Sequence, residues 1–324
     1  MKAILTFFLV LSAWLHAVPT LHPAAELPTS GLVTDLLVDN GKLYAATYAG
    51  TVDIFDIASK KRIGQIALPH IKDFMGDDIP AKIYSIDKFG DRIMMVSEGK
   101  SGYRNVFLYE HGKLSQIIDA HDYLPIKKGL LLDHDHLLFG LLSSEIILYD
   151  IAKKTKLYRK TIDNDISGGS AFDDMVLDET RTTLATSDES GDVNIFDART
   201  FRHEKLLSGQ NVDNVYKIDY KKGTVITAGK DRRCAVYPAK GRPYYIKSSF
   251  IVFAAALSPS ARHGFFSADA DNDIEMFDTQ SREKLAMLKG HNATISDFAF
   301  VDETHLFSSA EEKRILYWDL STLH

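Results

Sequence analysis

Cysteine is almost absent from this sequence, which contains a single one, Cys234, among 324 residues. A lone cysteine excludes an internal disulfide, although exported eukaryotic proteins of this size usually carry several. Cys234 occupies an aliphatic core position of a repeated strand described below, and a buried thiol in apolar surroundings is inert. A nucleophilic or redox role for Cys234 is therefore not favoured.

Blocks of like charge are also missing, because acidic and basic residues are interspersed and sum to a formal net charge of −6. Such a surface is poorly suited to polyphosphate, so nucleic acid is not an expected partner. The sequence contains no Gly-rich phosphate loop, zinc signature or nucleophile elbow. We therefore expect a protein without catalytic residues, bound metal or cofactor.

The chain begins with Lys2, a continuous apolar run from Ala3 to Leu15, and the small residue Ala17. This run is short for a membrane span, and the order of charge, apolar run and small residue is typical of a secretory signal peptide. We expect residues 1–17 to be removed, with no membrane insertion of the mature protein at 18–324. An export signal combined with one cysteine favours the bacterial periplasm.

Seven segments repeat one pattern, in which alternating apolar residues end in an aromatic residue and usually an acid. The segments are TVDIFD at 51, NVFLYE at 105, EIILYD at 145, DVNIFD at 192, RCAVYP at 233, DIEMFD at 273 and RILYWD at 314. Each follows two further apolar runs and precedes a more polar one. Four short antiparallel strands in about 40 residues make a propeller blade. The sequence therefore predicts an all-β, seven-bladed β-propeller.

The seventh unit lacks a fourth strand, because only five residues follow Asp319. Residues 18–28 precede the first unit and belong to none of the seven. We predict that they form the missing outer strand of the last blade and close the ring, which removes two exposed sheet edges. Pro19, Pro23 and Pro28 are compatible with such an edge position.

The last unit carries Gly290-His291 and Trp318-Asp319, and on these residues the chain resembles the WD40 repeat family. In that family a His, a Ser or Thr, a Trp and a turn Asp form a hydrogen-bonded network inside a blade. The resemblance implies a network of His291, Ser308, Glu312 and Trp318, with Glu312 in place of the usual Asp. Asp231 and Asp271 match the turn Asp in the two preceding units, but the networks there are expected to be incomplete.

The segment IKDFMGDDIPAKIYSIDKFGD at 71–91 extends the resemblance. Together with the signal peptide and the seven units, it is similar to the NapL-type accessory proteins of bacterial periplasmic nitrate reductase systems. The resemblance implies a non-catalytic helper in nitrate respiration that binds protein components of such a system. We expect a monomer.

The longest gap between repeats, 54 residues, carries an insertion at 69–82, and the turn at 98–105 of the second blade is also extended. Both fall on one rim of a propeller, and an apolar tip within a charged collar suits a partner anchor. The predicted partner-binding residues are Lys72, Phe74, Met75, Asp77, Asp78 and Tyr103. The alternative is that Phe74 and Met75 tuck under the loop and cover the second blade. A smaller extension at 163–174 is expected on the same rim.

Two polar stretches invite a metal-site interpretation that the residues do not favour. DHDH at 133–136 is more typical of a polar turn, and the aspartates at 269, 271 and 273 lack the Gly and Glu of a calcium loop. The innermost strands read as mainly apolar and small. A lactonase-like or cofactor-using propeller enzyme remains an alternative and needs converging carboxylates, histidines or a metal in the channel. A scaffold for outer-membrane protein assembly is a third.

Overall fold

The computed structural model describes residues 18–162 and 170–323. The predicted signal peptide at 1–17 and the first part of the 163–174 extension lie outside the described residues. Within those ranges the regular secondary structure is almost entirely β-strand, as the alternating apolar pattern predicts. No helix in the described ranges is long and apolar enough to cross a membrane.

Two short strands precede the repeats, and the first four blades follow in chain order. The short strands are β1 (Thr20–Leu21) and β2 (Ala25–Pro28). Blade 1 contains β3 (Val33–Asp39), β4 (Lys42–Thr47), β5 (Thr51–Asp56) and β6 (Lys61–Ala67), and a hairpin of β7 (Ile71–Lys72) and β8 (Asp78–Ile79) follows. Blade 2 contains β9 (Ile83–Phe89), β10 (Arg92–Glu98), β11 (Arg104–Glu110) and β12 (Lys113–Ile118). Blade 3 contains β13 (Ile126–Leu131), β14 (His136–Leu141), β15 (Glu145–Asp150) and β16 (Thr155–Thr161). Blade 4 contains β17 (Phe172–Leu177), β18 (Thr183–Asp188), β19 (Val193–Asp197) and β20 (His203–Leu207).

The remaining three blades repeat the same arrangement. Blade 5 contains β21 (Val215–Lys221), β22 (Thr224–Gly229), β23 (Arg233–Tyr237) and β24 (Tyr244–Lys247). Blade 6 contains β25 (Ala255–Leu257), β26 (His263–Ser267), β27 (Ile274–Asp278) and β28 (Lys284–Leu288). Blade 7 contains β29 (Ile295–Phe300), β30 (His305–Ala310) and β31 (Arg314–Asp319). Single 3-10 turns occupy Lys100–Gly102, Ala120–Asp122 and Ser321–Leu323.

Each blade is an antiparallel sheet whose strands pair in chain order. The first strands of neighbouring blades contact one another, so they surround a central channel, and the fourth strands form the outer surface. Apolar side chains fill the space between blades, because a single twisted sheet cannot cover both of its own faces. Cys234 lies fully buried in one of these interfaces, and burial raises the pKa of its thiol. The predicted seven-bladed propeller is confirmed.

The predicted closure by the N-terminal segment is also confirmed, with one correction. Strand β2 pairs antiparallel with β31, and Leu27 lies opposite Ile315. The prediction that all of 18–28 belongs to the last blade is wrong, because β1 instead pairs parallel with β28 of blade 6. The segment changes blades around Pro23, a residue that has no N–H to give to either sheet.

The two rims of the ring differ in what they carry. The loop rim holds the turns between second and third strands and the connections from one blade to the next, including the β7–β8 hairpin. The turn rim holds the tighter turns between first and second strands and between third and fourth strands. These two names are used below.

Candidate functional site

The first strands place charged side chains around the channel. In six blades the pairing of the first strand with the second shifts by one residue near the loop rim, and such a bulge re-aims the side chain that follows it. The residues directly after the shift are Asp35, Ser85, Lys128, Asp174, Lys217 and Asp297. Five of these six are charged and line one central cavity. We call the five charged residues the channel ring.

Each of the three carboxylates of the channel ring joins its own blade to the next one along the ring. Each accepts a hydrogen bond from a backbone N–H in the first strand of the following blade. The bonds run from Leu36 to Asp297 at 2.9 Å, from Ile86 to Asp35 at 2.8 Å and from Ile218 to Asp174 at 3.0 Å. Because a carboxylate is a strong acceptor for buried N–H groups, these contacts stabilise the ring of blades.

The two lysines leave one carboxylate of the channel ring without an ion pair. Lys128 Nζ lies 2.6 Å from Asp174, and Lys217 Nζ lies 3.3 Å from Asp297. Asp35 is only 8% exposed and forms no ion pair with any described residue. Burial, and then the charge of Asp297, raise the pKa of Asp35 to about 7.

Charge interactions in the channel ring also shift the pKa values of Asp174 and Lys217. Burial alone would raise the pKa of Asp174, but Lys128 and Lys217 outweigh it and hold that pKa below its ordinary value. Burial alone would lower the pKa of Lys217, and the surrounding carboxylates raise it instead. Lys217 therefore stays charged, while the pKa of Asp35 lies close to neutral pH.

A cavity of about 440 Å³ extends from the channel ring toward the turn rim. Arg181, also on the turn rim, connects two blades that are not neighbours. It lies in the β17–β18 turn of blade 4, and its guanidinium contacts both carboxylate oxygens of Asp87 at 2.7 and 3.1 Å. It also donates to the backbone carbonyl of Lys88 at 3.0 Å. Because Asp87 and Lys88 belong to β9, Arg181 ties blade 4 to blade 2 across the first strand of blade 3.

The sequence analysis predicted innermost strands that are mainly apolar and small. The five charged residues of the channel ring show that this prediction is wrong. In five blades the first strand begins with a buried apolar residue, then one residue of any type, then the charged channel position, as in Val33-Thr34-Asp35 and Ile295-Ser296-Asp297. That apolar–x–charged pattern is the feature of the sequence that could have predicted the channel ring. Strict alternation would have sent the apolar and charged residues to the same face, and the bulge separates them.

The predicted partner anchor is the tip of the β7–β8 hairpin on the loop rim. Asp73 fixes the turn, because its Oδ1 accepts hydrogen bonds from the backbone N–H groups of Met75 at 2.8 Å and Asp77 at 2.9 Å. Phe74 is 95% exposed and Met75 is 72% exposed. The alternative in which these two side chains tuck under the loop is therefore contradicted.

The other predicted partner residues flank this tip. Asp78 lies 3.0 Å from His70 Nδ1 and 3.4 Å from Lys72 Nζ at the base of the hairpin. Tyr103, in the β10–β11 loop, makes an edge contact with Tyr123 at 5.2 Å between ring centroids. A groove of about 720 Å³ separates the hairpin from that loop and from the β12–β13 connection. The two extensions thus lie side by side, and partner binding by these residues stays a prediction.

Exposed apolar side chains gather on the loop rim. Among the described residues, twelve large apolar side chains are exposed, and seven of them lie on this rim. The seven are Tyr48, Phe74, Met75, Tyr123, Leu142, Val212 and Phe250. The turn rim contributes Phe89, and the others lie on outer strands or near residue 18. Clustered exposed apolar groups mark interaction surfaces more often than scattered ones do.

The structure brings together the four residues of the network in blade 7. His291 Nε2 lies 2.6 Å from Ser308 Oγ, which also accepts a hydrogen bond from Trp318 Nε1 at 2.7 Å. His291 Nδ1 lies 2.7 Å from Glu312 Oε1. His291, Ser308 and Trp318 are buried, so the network links β30, β31 and the chain entering β29. This is a structural contact inside one blade and is remote from the channel ring.

Blade 5 contains a related network made of other residues, and blade 6 contains a turn acceptor at the corresponding place. In blade 5, Asn211 bonds Thr227 at 2.6 Å and Asp231 at 3.1 Å, so an amide stands where blade 7 has His291. In blade 6 the turn acceptor is Asp269, which accepts from the N–H groups of residues 271 and 273, and the assignment of that role to Asp271 is wrong.

The DHDH stretch is the polar turn between β13 and β14. Asp133 pairs with His136 at 2.8 Å and with Arg199, while His134 lies 3.1 Å from Glu110. Burial opposes ionisation of Asp133, but Arg199 and His136 lower its pKa to about 2. Within 18–162 and 170–323, no group of three or more potential ligands could hold a metal ion.

Comparison with known proteins supports the fold. No family profile matches the chain. The CCR4-associated factor 4 homolog of Candida glabrata is 32% identical over 123 residues, which are 37% of this chain and 18% of that relative's length. The β-propeller domain of Cps50 (Swd1) from Myceliophteria thermophila superposes with a TM-score of 0.71 at 15% identity, covering 92% of this chain and 98% of that one. The chain therefore has the seven-bladed β-propeller fold.

Proposed function

We propose that this chain is a non-catalytic protein-interaction platform whose partner docks on the loop rim. The observation that carries the proposal is the concentration of exposed apolar side chains on that rim, with Phe74 at its tip. A propeller suits this task because its ring holds many loops in fixed positions, which lowers the cost of ordering them on binding.

The hairpin provides the anchor. Phe74 and Met75 project from a turn that Asp73 holds in place, so little conformational freedom is lost when they are covered. The groove beside them is lined by acidic and basic groups, among them Lys72, Glu98 and Asp119. An apolar centre with a polar surround is the usual anatomy of a protein interface.

The test is a pull-down from an extract of the source cells with the wild-type chain and the double variant Phe74→Ala, Met75→Ala. The control is Ile63→Ala, Leu157→Ala, which removes exposed apolar groups from outer strands. We expect a specific partner to be lost with the hairpin variant and retained with the control. Recovery of the same partners by all three proteins would reject the loop rim as the docking face.

The partner class proposed is a component of a periplasmic nitrate-reducing enzyme, met after export of the chain to the periplasm. This part is supported by the resemblance of residues 71–91 and by the apolar start of the sequence. Purified nitrate reductase subunits should bind the wild-type chain more tightly than the hairpin variant. If the subunits bind neither the wild-type chain nor the hairpin variant, nitrate reductase is rejected as the partner, while the proposal of a protein-interaction platform is unaffected.

A second candidate function is a small-ligand or catalytic site in the channel. The observation in its favour is the channel ring, which supplies the converging carboxylates that a propeller enzyme needs, next to a cavity of about 440 Å³. Asp35, with its raised pKa, is the group there best placed to exchange a proton. Binding of small molecules to the wild-type chain that Asp35→Asn abolishes, with the fold intact, would favour this candidate.

A further inference from the structure

A cleft between blades 5 and 6 on the turn rim is lined by an unusual set of charges. Its volume is about 670 Å³, and four turns of two neighbouring blades contribute to it. Its cationic side chains are Lys222, Lys240, Arg242, Arg262 and Arg282. None of the described residues that line it is acidic, although the chain has 44 acidic and 38 basic residues. We call it the basic cleft.

Most of these cations have no counter-charge of their own. Lys240, Arg242 and Arg282 form no salt bridge with any residue that the structure describes. Lys222 lies 3.7 Å from Glu179 and Arg262 lies 3.4 Å from Asp278, at the margins of the cleft. Five positive groups in one concave surface repel one another, and a cleft concentrates their field. The arrangement is therefore stabilised when an anion enters.

Specific contacts hold the wall of the basic cleft in place. The Arg282 guanidinium lies 4.2 Å from the centroid of the Tyr244 ring, which orients it. Tyr244 donates from its hydroxyl to the backbone carbonyl of Thr279 at 2.6 Å, and this bond ties blade 5 to blade 6. The two turns that carry most of the cations are thus held against each other, and the guanidinium has a fixed direction.

We propose that the basic cleft binds a small molecule that bears a phosphate or pyrophosphate group. Guanidinium groups match the geometry of phosphate oxygens and bind them in pairs of charge-assisted hydrogen bonds. The cleft has the volume of a small-ligand pocket.

The margins of the basic cleft select against a long polyanion. Glu303 accepts hydrogen bonds from both the backbone N–H and the hydroxyl of Ser260, so its carboxylate sits beside one edge. Glu179 and Asp278 occupy other margins. A nucleic acid or a charged membrane surface extending beyond the cleft would meet these acids, whereas a small phosphate ester would not.

The test measures pyrophosphate binding by isothermal titration calorimetry at low and at physiological salt. The probes are pyrophosphate, inorganic phosphate and phosphatidic acid vesicles. The variant Lys240→Ser, Arg242→Ser removes two exposed cations from the β23–β24 turn. The control Lys42→Ser, Lys113→Ser removes the same charge from exposed positions on the turn rim of blades 1 and 2. Circular dichroism verifies that both variants fold.

We expect the wild-type chain to bind pyrophosphate and the cleft variant to bind it at least about tenfold more weakly, because two charge-assisted contacts are lost. The control should bind as the wild type does. Absence of binding by the wild type, equal weakening in both variants, or binding to vesicles alone would overturn the proposal. The site lies on the turn rim, so none of these results depends on partner binding at the loop rim.

Discussion

Leu27 and Ile315 face each other across the seam that joins the first strands of the described chain to its last blade. Leu27 is fully buried and belongs to one cluster with Leu43, Phe307 and Ile315, so it is part of a core that blade 7 and blade 1 share. While this seam is closed, β2 covers the edge of β31 and completes the last blade with a fourth strand. The stability of the whole propeller therefore depends on a four-residue strand.

The first prediction concerns this seam. Leu27→Ala should lower the free energy of unfolding by about 2–5 kcal/mol, because it leaves a cavity where the ring closes. The measurement is urea denaturation. The matched control is Glu26→Ala, whose pair with Arg314 is half exposed and should contribute at most about 1 kcal/mol. Equal losses in the two variants would show that burial at the seam does not determine stability.

The second prediction concerns the network in blade 7. Ser308→Ala removes the hydroxyl that serves both His291 and Trp318 and leaves two buried ring nitrogens without a partner. The expected loss is about 2–6 kcal/mol, from about 1–3 kcal/mol for each of the two buried groups left unpaired. Ser309→Ala is the control, because that equally buried serine has one side-chain partner, Ser296, which is itself partly exposed. A larger loss in the control would contradict the network's role.

The third prediction concerns Arg181. Arg181→Met should destabilise the fold by about 2–3 kcal/mol at pH 7, because it leaves the Asp87 carboxylate buried without its cation. Arg199→Met is the control from the same blade, since its contact with Asp133 is more exposed and should contribute at most about 1 kcal/mol. Thermal unfolding of the two variants distinguishes them. Similar unfolding midpoints for the two variants would mean that the contact between Arg181 and Asp87 does not stabilise the fold.

The fourth prediction concerns pH. Asp35 has a pKa raised from 3.8 to about 7 in the folded chain, so between these values the folded state binds more protons than the unfolded state. Its contribution to stability is therefore present below about pH 4 and is lost as the pH rises to about 7. Each pKa unit corresponds to about 1.4 kcal/mol. The charged groups that act on it are Asp297, Lys217 and Lys128.

The variant Asp35→Asn tests this, because an amide can still accept the hydrogen bond from the Ile86 N–H but cannot ionise. Its stability should vary less than that of the wild type between pH 5 and pH 8 and should exceed it at pH 8. Asp91→Asn, at an exposed turn of blade 2, is the control and should follow the wild type. Stability curves that run parallel for all three proteins in urea denaturation would contradict a raised pKa of Asp35 in the channel.

The fold could be predicted from the sequence because the third strand of every blade repeats one short pattern, from Asp56 to Asp319. Counting those repeats gave the number of blades, and the missing fourth strand after Asp319 led to the N-terminal closure. The parallel pairing of Thr20–Leu21 with blade 6 was not predictable, since two residues have no period and the partner is more than 260 residues away. Long-range pairing of so short a strand is decided by packing.

The candidate sites were less accessible to sequence analysis. The hairpin tip at Phe74 was predicted as an insertion, and its exposure required the structure. The channel ring was missed because a one-residue bulge, which leaves only a weak apolar–x–charged trace, turns Asp35 and its equivalents inward. The basic cleft collects five cations from four turns between residues 222 and 282, so it does not stand out in the sequence as one run of basic residues.

The double pairing of the N-terminal segment has a consequence for how the molecule comes apart. Because β1 belongs to blade 6 and β2 to blade 7, pulling the segment away strips an edge from two neighbouring sheets at once. Amide hydrogens of β28 and β31 should then exchange with solvent together, as one cooperative opening, and earlier than those of blades 2 to 4. Cutting the backbone beside Pro23 would uncouple β1 from β2, so that the sheets of blades 6 and 7 would open independently and their amide hydrogens would exchange at different rates.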